Sequence, residues 1–175
     1  AVVCGEEKIT YKELNEKANM LAREMMEKGV KQHDIVGIML NRSPEMIIGL
    51  IAILKCGATY LPIDPEYPAE RISYMLENSE TKLVLINNNT EKYVPEDCLK
   101  INIKNIENQN KENLNLKINE NSLVYLIYTS GSTGKPKGVQ ITNRNLNNFI
   151  KGMKKEIDFS PNKTIVSVTT ICFDI

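Results

Sequence analysis

The sequence predicts an α/β protein in which a parallel or mixed sheet is flanked by helices. Three observations carry that expectation. Helical and strand patterns alternate from residue 10 to residue 86, the order that builds strand–helix–strand units. Residues 123–128 form an unbroken strand-like run, Leu-Val-Tyr-Leu-Ile-Tyr, of the kind buried on both faces of a sheet. Hydrophobic residues make up 42% and charged residues 25% of the 175 positions, which is ordinary for one soluble globular domain or part of a larger one.

The elements follow in order. Thr10-Tyr11-Lys12-Glu13 has the form of a capping box, so a helix starts there. Leu14, Ala18, Leu21, Ala22 and Met25 recur at helical spacing, and Gly29 offers a left-handed stop. A strand is expected over 34–40. Ser43 and Pro44 give the cap-then-proline start of a second helix, apolar on nearly every side to residue 55 and ended by Gly57. A strand over 58–61 leads into Pro62-Ile63-Asp64-Pro65-Glu66-Tyr67-Pro68, an ordered non-helical turn. A helix over 69–78 and a strand over 82–86 complete the alternation. Residues 87–121 are rich in Asn, Lys and Glu and read as a variable surface connection with one short strand near 99–103. Beyond the 123–128 strand, Leu146, Phe149, Ile150 and Met153 mark one face of a helix, and 164–169 reads as a further strand.

Lys plus Arg and Asp plus Glu both number 22, so the formal net charge is zero and no charge excess argues for a nucleic-acid partner. The longest apolar run, 46–54, is interrupted by Gly49 and falls far short of the roughly 20 residues of a membrane span. Cys4, Cys56, Cys98 and Cys172 are scattered and the only histidine is His33, so no zinc site is expected. Four reduced thiols suit a cytoplasmic protein. His33 follows a helix end and reads as a solvated loop residue.

One segment carries chemistry: Thr129-Ser130-Gly131-Ser132-Thr133-Gly134-Lys135-Pro136-Lys137-Gly138. Glycines let backbone N–H groups converge on an anion, hydroxyls add neutral donors, and lysine adds a point charge. Directly after a buried strand, such a loop sits where ligands bind in open α/β sheets. It is not a Walker A loop, because Gly131 and Gly134 are separated by two residues where that motif has four. On composition alone it is also compatible with a plain Ser/Gly/Thr turn carrying incidental lysines.

The string from Tyr128 to Gly138 resembles, without a gap, the signature loop of the adenylate-forming superfamily. Thr10 to Leu14 resembles the first motif of that family's adenylation domains. Leu54 to Pro68 resembles the second, in the form typical of nonribosomal peptide synthetases. Phe173-Asp174 resembles the start of the fourth. The resemblance spans almost the whole chain, with the Asn-rich stretch fitting loosely. It implies an incomplete N-terminal subdomain of the adenylate-forming fold, covering 1–175 and truncated at both ends.

The function so implied is ATP-dependent activation of an amino acid as its aminoacyl-adenylate, then loading onto the phosphopantetheine of a peptidyl carrier protein or domain. Thr129, Ser130, Gly131, Ser132, Thr133, Gly134, Lys135 and Lys137 would hold the ATP phosphates, with Thr129 near Mg²⁺. Phe173 and Asp174 would bind the substrate, Asp174 opposite its ammonium group. No catalytic residue of the family falls in the chain, so by itself it is expected to be inactive. Where many relatives carry a histidine near the substrate, this sequence has Asn143. Two alternatives stand beside this reading: another adenylate-forming ligase, such as a D-alanine–carrier protein ligase or an acyl-CoA synthetase, and a non-catalytic folding fragment or nucleotide-binding module.

Overall fold

The computed structural model describes residues 1–130, 135–160 and 163–173. A small antiparallel hairpin, β1 (Val2–Cys4) and β2 (Glu7–Ile9), precedes helix α1 (Tyr11–Glu27). Then come β3 (Ile35–Ile38), α2 (Pro44–Lys55), β4 (Thr59–Pro62), α3 (Ala69–Asn78), β5 (Leu83–Ile86) and β6 (Leu99–Asn102). Strands β7 (Leu123–Thr129) and β8 (Lys137–Thr142) and helix α4 (Asn143–Glu156) follow. The main sheet has six strands in the order β6-β5-β3-β4-β7-β8, parallel throughout except for the antiparallel β7–β8 pair.

Alternation within β5 shows how the layers are built. Leu83 and Leu85 face α1 and α2, while Val84 and Ile86 face α3, so all four side chains are buried. A strand covered on both faces needs no polar positions, which is why it reads as a continuous apolar run. The same logic makes α2 apolar on most sides, since it lies between α1 and the sheet.

Local chemistry fixes the helix ends. Thr10 Oγ1 accepts from the Glu13 N–H at 3.2 Å and the Glu13 carboxylate accepts from the Thr10 N–H at 2.8 Å, which completes the expected capping box. Pro44 stands in the first turn of α2 as expected, whereas the Ser43 side chain caps nothing. Gly57, at φ +70°, carries the chain out of α2 in a left-handed conformation.

The Asn-rich connection is fastened along α1. Asn19, fully buried, donates to the Lys111 carbonyl at 2.7 Å. The Glu24 carboxylate accepts the Glu107 N–H at 2.7 Å, and Arg23 donates to the Glu112 carbonyl at 3.0 Å. Within the segment, Asn108 and Asn110 each accept the N–H two residues on at 2.9 Å. Asparagine is frequent here because its side chain closes such turns without helix or strand.

Three expectations need correction or addition. Among the described residues no strand forms over 164–169. Ile165, Val166 and Val168 stand 72–74% exposed, and the carbonyls of Ser167 and Val168 are taken by the Arg42 guanidinium at 2.9 and 2.8 Å. A strand needs a neighbouring backbone edge, and this segment has a side chain instead. The apolar face of α4 is also not buried, with Phe149 55% and Ile150 40% exposed. Strands β1, β2 and β8 were not expected.

Candidate functional site

Strand β7 runs parallel to β4 and antiparallel to β8, and its register with β8 ends at the pair Thr129–Lys137. The Ser/Gly/Thr/Lys segment therefore closes the β7–β8 hairpin at the carboxyl end of β7, the end at which open parallel sheets bind ligands. Thr129, Ser130, Lys135 and Lys137 are exposed at this mouth. The Thr129 hydroxyl lies 3.5 Å from the Lys137 carbonyl. Gly131, Ser132, Thr133 and Gly134 lie outside the described residues, as does Asp174.

Gly138 shows why the hairpin begins as it does. A Cβ there would sit 2.7 Å from Leu126 Cδ1 and 3.5 Å from Tyr128 Cζ. A side chain there would have to displace the Leu126 methyl, and glycine lets β8 lie beside Leu126 and the Tyr128 ring without that shift. Tyr128 is buried, and that burial, with Tyr74 alongside, pushes its phenol above the usual range. Its hydroxyl donates to Asn78 Oδ1 at 2.7 Å.

A second group of residues lies at the carboxyl ends of β3 and β4. A cavity of about 190 Å³ is bounded by Leu40, Met46, Ile63, Asp64, Thr170 and Cys172. Phe173 follows it and is 65% exposed. Burial raises the Cys172 thiol above its ordinary range, with the Thr170 and Tyr67 side chains beside it; the Cys172 N–H donates to Thr170 Oγ1 at 3.3 Å. The Tyr67 ring in turn carries the Arg71 guanidinium 4.4 Å from its centroid. Arg71 also reaches the Tyr128 carbonyl at 3.5 Å. Contacts thus run from Cys172, beside the expected substrate residues, to the strand that ends in the expected phosphate residues.

Asn143 lies elsewhere. Strand β8 carries the chain back to the start of β7, where Thr142 pairs with Leu123. Its backbone N–H donates to the Ser122 carbonyl at 2.9 Å, and its side-chain amide reaches the carbonyls of Asn119 and Ser122 at 3.3 and 3.4 Å. In this chain the position braces the entry to β7, at the opposite end of the hairpin from the loop. The residues that sequence reasoning missed are Arg71, Tyr74 and Asn78. Their spacing puts them on one face of α3, but only the tertiary arrangement shows what that face meets.

A mostly parallel α/β sheet with a Ser/Gly/Thr/Lys segment after β7 defines the class of fold, and comparison sharpens it. The sequence model described as AMP-binding enzyme matches residues 1–175, and the chain belongs to that family. Bacitracin synthase 2 of Bacillus licheniformis is 45% identical over 174 residues, covering 99% of this chain and 7% of that protein. Gramicidin S synthase 2 of Brevibacillus brevis is 43% identical over 176 residues, covering 99% of this chain and 4% of that protein. The chain thus spans a small part of the length of these relatives.

Among solved structures, the nonribosomal peptide synthetase FmoA3 in its AMPPNP-bound form superposes with a TM-score of 0.91 at 26% identity, over 99% of this chain and 18% of that one. The N-terminal subdomain of Klebsiella oxytoca NpsA gives 0.71 at 29% identity, over 81% of this chain and 38% of that one. The fold is that of the N-terminal subdomain of the synthetases' adenylation domains. Among the described residues no helix is long and apolar enough to cross a membrane.

Proposed function

We propose that this chain is the N-terminal part of an adenylation domain that activates an amino acid with ATP and passes it to a phosphopantetheine-bearing carrier. Residues 87–121 would be a variable connection inside that one domain. The observation that carries the reading is the Thr129–Lys137 mouth at the carboxyl end of β7, where the exposed Thr129, Ser130, Lys135 and Lys137 surround the loop. The likeness to FmoA3, whose structure is the AMPPNP-bound form, supports ATP as the nucleotide.

In this reading the carboxylate of the amino acid attacks the α-phosphorus of ATP and pyrophosphate leaves. Protein side chains do little covalent work in such a step. The rate comes from alignment and from neutralising charge that builds on the phosphates. Ser130, Gly131, Ser132, Thr133, Gly134 and Lys135 hold the β- and γ-phosphates, with Lys137 as a second cation at the mouth. Mg²⁺ accompanies ATP and neutralises phosphate charge. The exposed Thr129 hydroxyl, whose one hydrogen-bond contact among the described residues is a long 3.5 Å approach to a carbonyl, fits it as a neutral oxygen ligand. Phe173 and Asp174 receive the substrate next to the cavity lined by Asp64 and Cys172, with Asp174 facing the substrate ammonium.

The test is amino-acid-dependent exchange of labelled pyrophosphate into ATP, by the protein that carries this chain together with the rest of an adenylation domain. The expected result is exchange with one or a few amino acids, weakened at least tenfold by Lys135→Ala. Exchange with D-alanine alone or an aryl or fatty acid would reassign the substrate within the same superfamily. A folded protein that exchanges with none of these would remove the reading.

A further inference from the structure

Helix α3 touches the hairpin at both ends of the phosphate loop. Arg71 Nη2 donates to the Tyr128 carbonyl at 3.5 Å, just before the loop. Tyr74 Oη donates to the Pro136 carbonyl at 3.3 Å, just after it. Between them the Tyr74 and Tyr128 rings meet edge to face, 6.2 Å apart at 78°, and the Tyr128 hydroxyl returns to the helix at Asn78. Residues 71, 74 and 78 share one helical face, and the adjoining face of α3 is anchored in the core by Ile72, Met75 and Leu76. A rigid element therefore grips the two backbone points that set how wide the loop's mouth stands.

We infer that Arg71 and Tyr74 are positioning residues of the ATP site, holding the backbone at Tyr128 and Pro136, on either side of the phosphate loop, to α3 before the nucleotide arrives. This rests on the reading of the loop as a phosphate site. Neither residue needs to touch ATP. Their effect is preorganisation: flanking backbone that is already fixed loses less freedom when a phosphate binds. Arg71 is held at two places, over the Tyr67 ring and at the Tyr128 carbonyl, and its buried Nε has no hydrogen-bond partner among the described residues. Tyr67 also borders Cys172, so the same arginine ties the loop to the neighbouring substrate cavity.

The experiment compares wild type, Tyr74→Phe, Arg71→Gln and the double variant, each in the full adenylating protein. Three quantities are read: affinity for Mg·ATP by calorimetry, the separate KM values for ATP and amino acid in pyrophosphate exchange, and the melting temperature. Tyr74→Phe keeps the ring against Tyr128 and removes only the hydroxyl. It is expected to weaken ATP binding about fivefold, the size of one ordinary hydrogen bond, with melting temperature and amino-acid KM unchanged. Arg71→Gln is expected to weaken ATP binding more, and the double variant less than the product of the two, because both act on one loop.

Unchanged ATP affinity in Tyr74→Phe would overturn the positioning role. So would an equal rise of both KM values accompanied by a lower melting temperature, which would mean a structural role only. Wild type that binds no ATP overturns this inference together with the phosphate reading. Wild type that binds ATP but shows no amino-acid-dependent exchange removes the adenylation reading alone, and the calorimetric comparison still decides the role of Tyr74.

Discussion

The Asn19 side chain reaches from the buried face of α1 to the Lys111 carbonyl at 2.7 Å, joining residues 92 positions apart. The bond is shielded, for Asn19 is fully buried, and it holds a segment with little apolar surface of its own. Asn19→Ala should therefore loosen the Asn-rich connection locally. Removing one partner of a buried hydrogen bond costs about 1–3 kcal/mol. Amide hydrogen exchange over residues 107–113 should accelerate roughly tenfold while the β5 amides keep their protection. Unchanged exchange in that segment would show that the bond does not hold it.

Cys56 is 1% exposed, and burial pushes its thiol up to about 12. Its Sγ donates to the Ala22 carbonyl at 3.2 Å, which a thiolate cannot do. At pH 8 iodoacetamide should label the exposed Cys4 and leave Cys56 untouched unless the protein is unfolded. The folded value lies above the unfolded one, so this thiol's contribution is complete below pH 9.0 and is lost as pH rises toward about 12. Cys56→Ala should make the fall of stability across that alkaline window shallower. Equal labelling of Cys4 and Cys56 in the native protein would contradict the assignment.

Gly57 combines a φ of +70° with a crowded surround, since a Cβ would meet Ile118 Cδ1 at 2.8 Å and Gln32 Cγ at 2.9 Å. Gly57→Ala should cost roughly 1–2 kcal/mol from the backbone conformation alone. Gly152, inside α4 with nothing within 4 Å of its would-be Cβ, gives the contrast. Gly152→Ala should stabilise by about 0.5–1 kcal/mol. Denaturation midpoints shifting in opposite directions would support both assignments; shifts of the same sign would not.

Gly138→Val tests the contact under the loop, where a Cβ would fall 2.7 Å from Leu126 Cδ1. Overpacking of this kind costs about 1–3 kcal/mol. Here the strain falls on β8 directly below the Thr129–Lys137 pair. The KM for ATP should rise about tenfold with the amino-acid KM little changed. A variant with wild-type ATP kinetics would show that the loop tolerates displacement of β8.

Much of the fold was legible because local signals agreed with one another. Helix α3 begins after Pro68 and ends at Asn78 as its pattern predicts, and the Thr10–Glu13 box starts α1 where its spacing says it should. Elements with weaker local signals escaped. Strands β1 and β2 have three residues each, and β8 opens Lys-Gly, a poor strand start that packs closely on Leu126. The second capping box, at Thr142 and Asn145, uses asparagine where the usual pattern has Glu or Gln. Residues 164–169 are mostly β-branched, as in a strand, yet Arg42 meets the carbonyls of Ser167 and Val168 in place of a neighbouring strand. The place of the loop, directly after β7, was readable from the apolar run that precedes it. The grip of Arg71 and Tyr74 was not, because it joins residues 57 and 62 positions apart.

The place of β4 has a consequence for synthesis. Its edge is covered by β7, with Tyr60 opposite Tyr125 and their rings 5.4 Å apart. That partner leaves the ribosome more than sixty residues later, several seconds at about 5–20 residues per second. Until then the nascent chain presents an open edge, the template on which stray strands assemble. The polar stretch made in the interval is poorly suited to occupy that edge, for its asparagines close turns rather than ladders. Released chains that end before residue 122 should therefore capture strand-forming peptides at β4, and released chains that end beyond residue 142 should not.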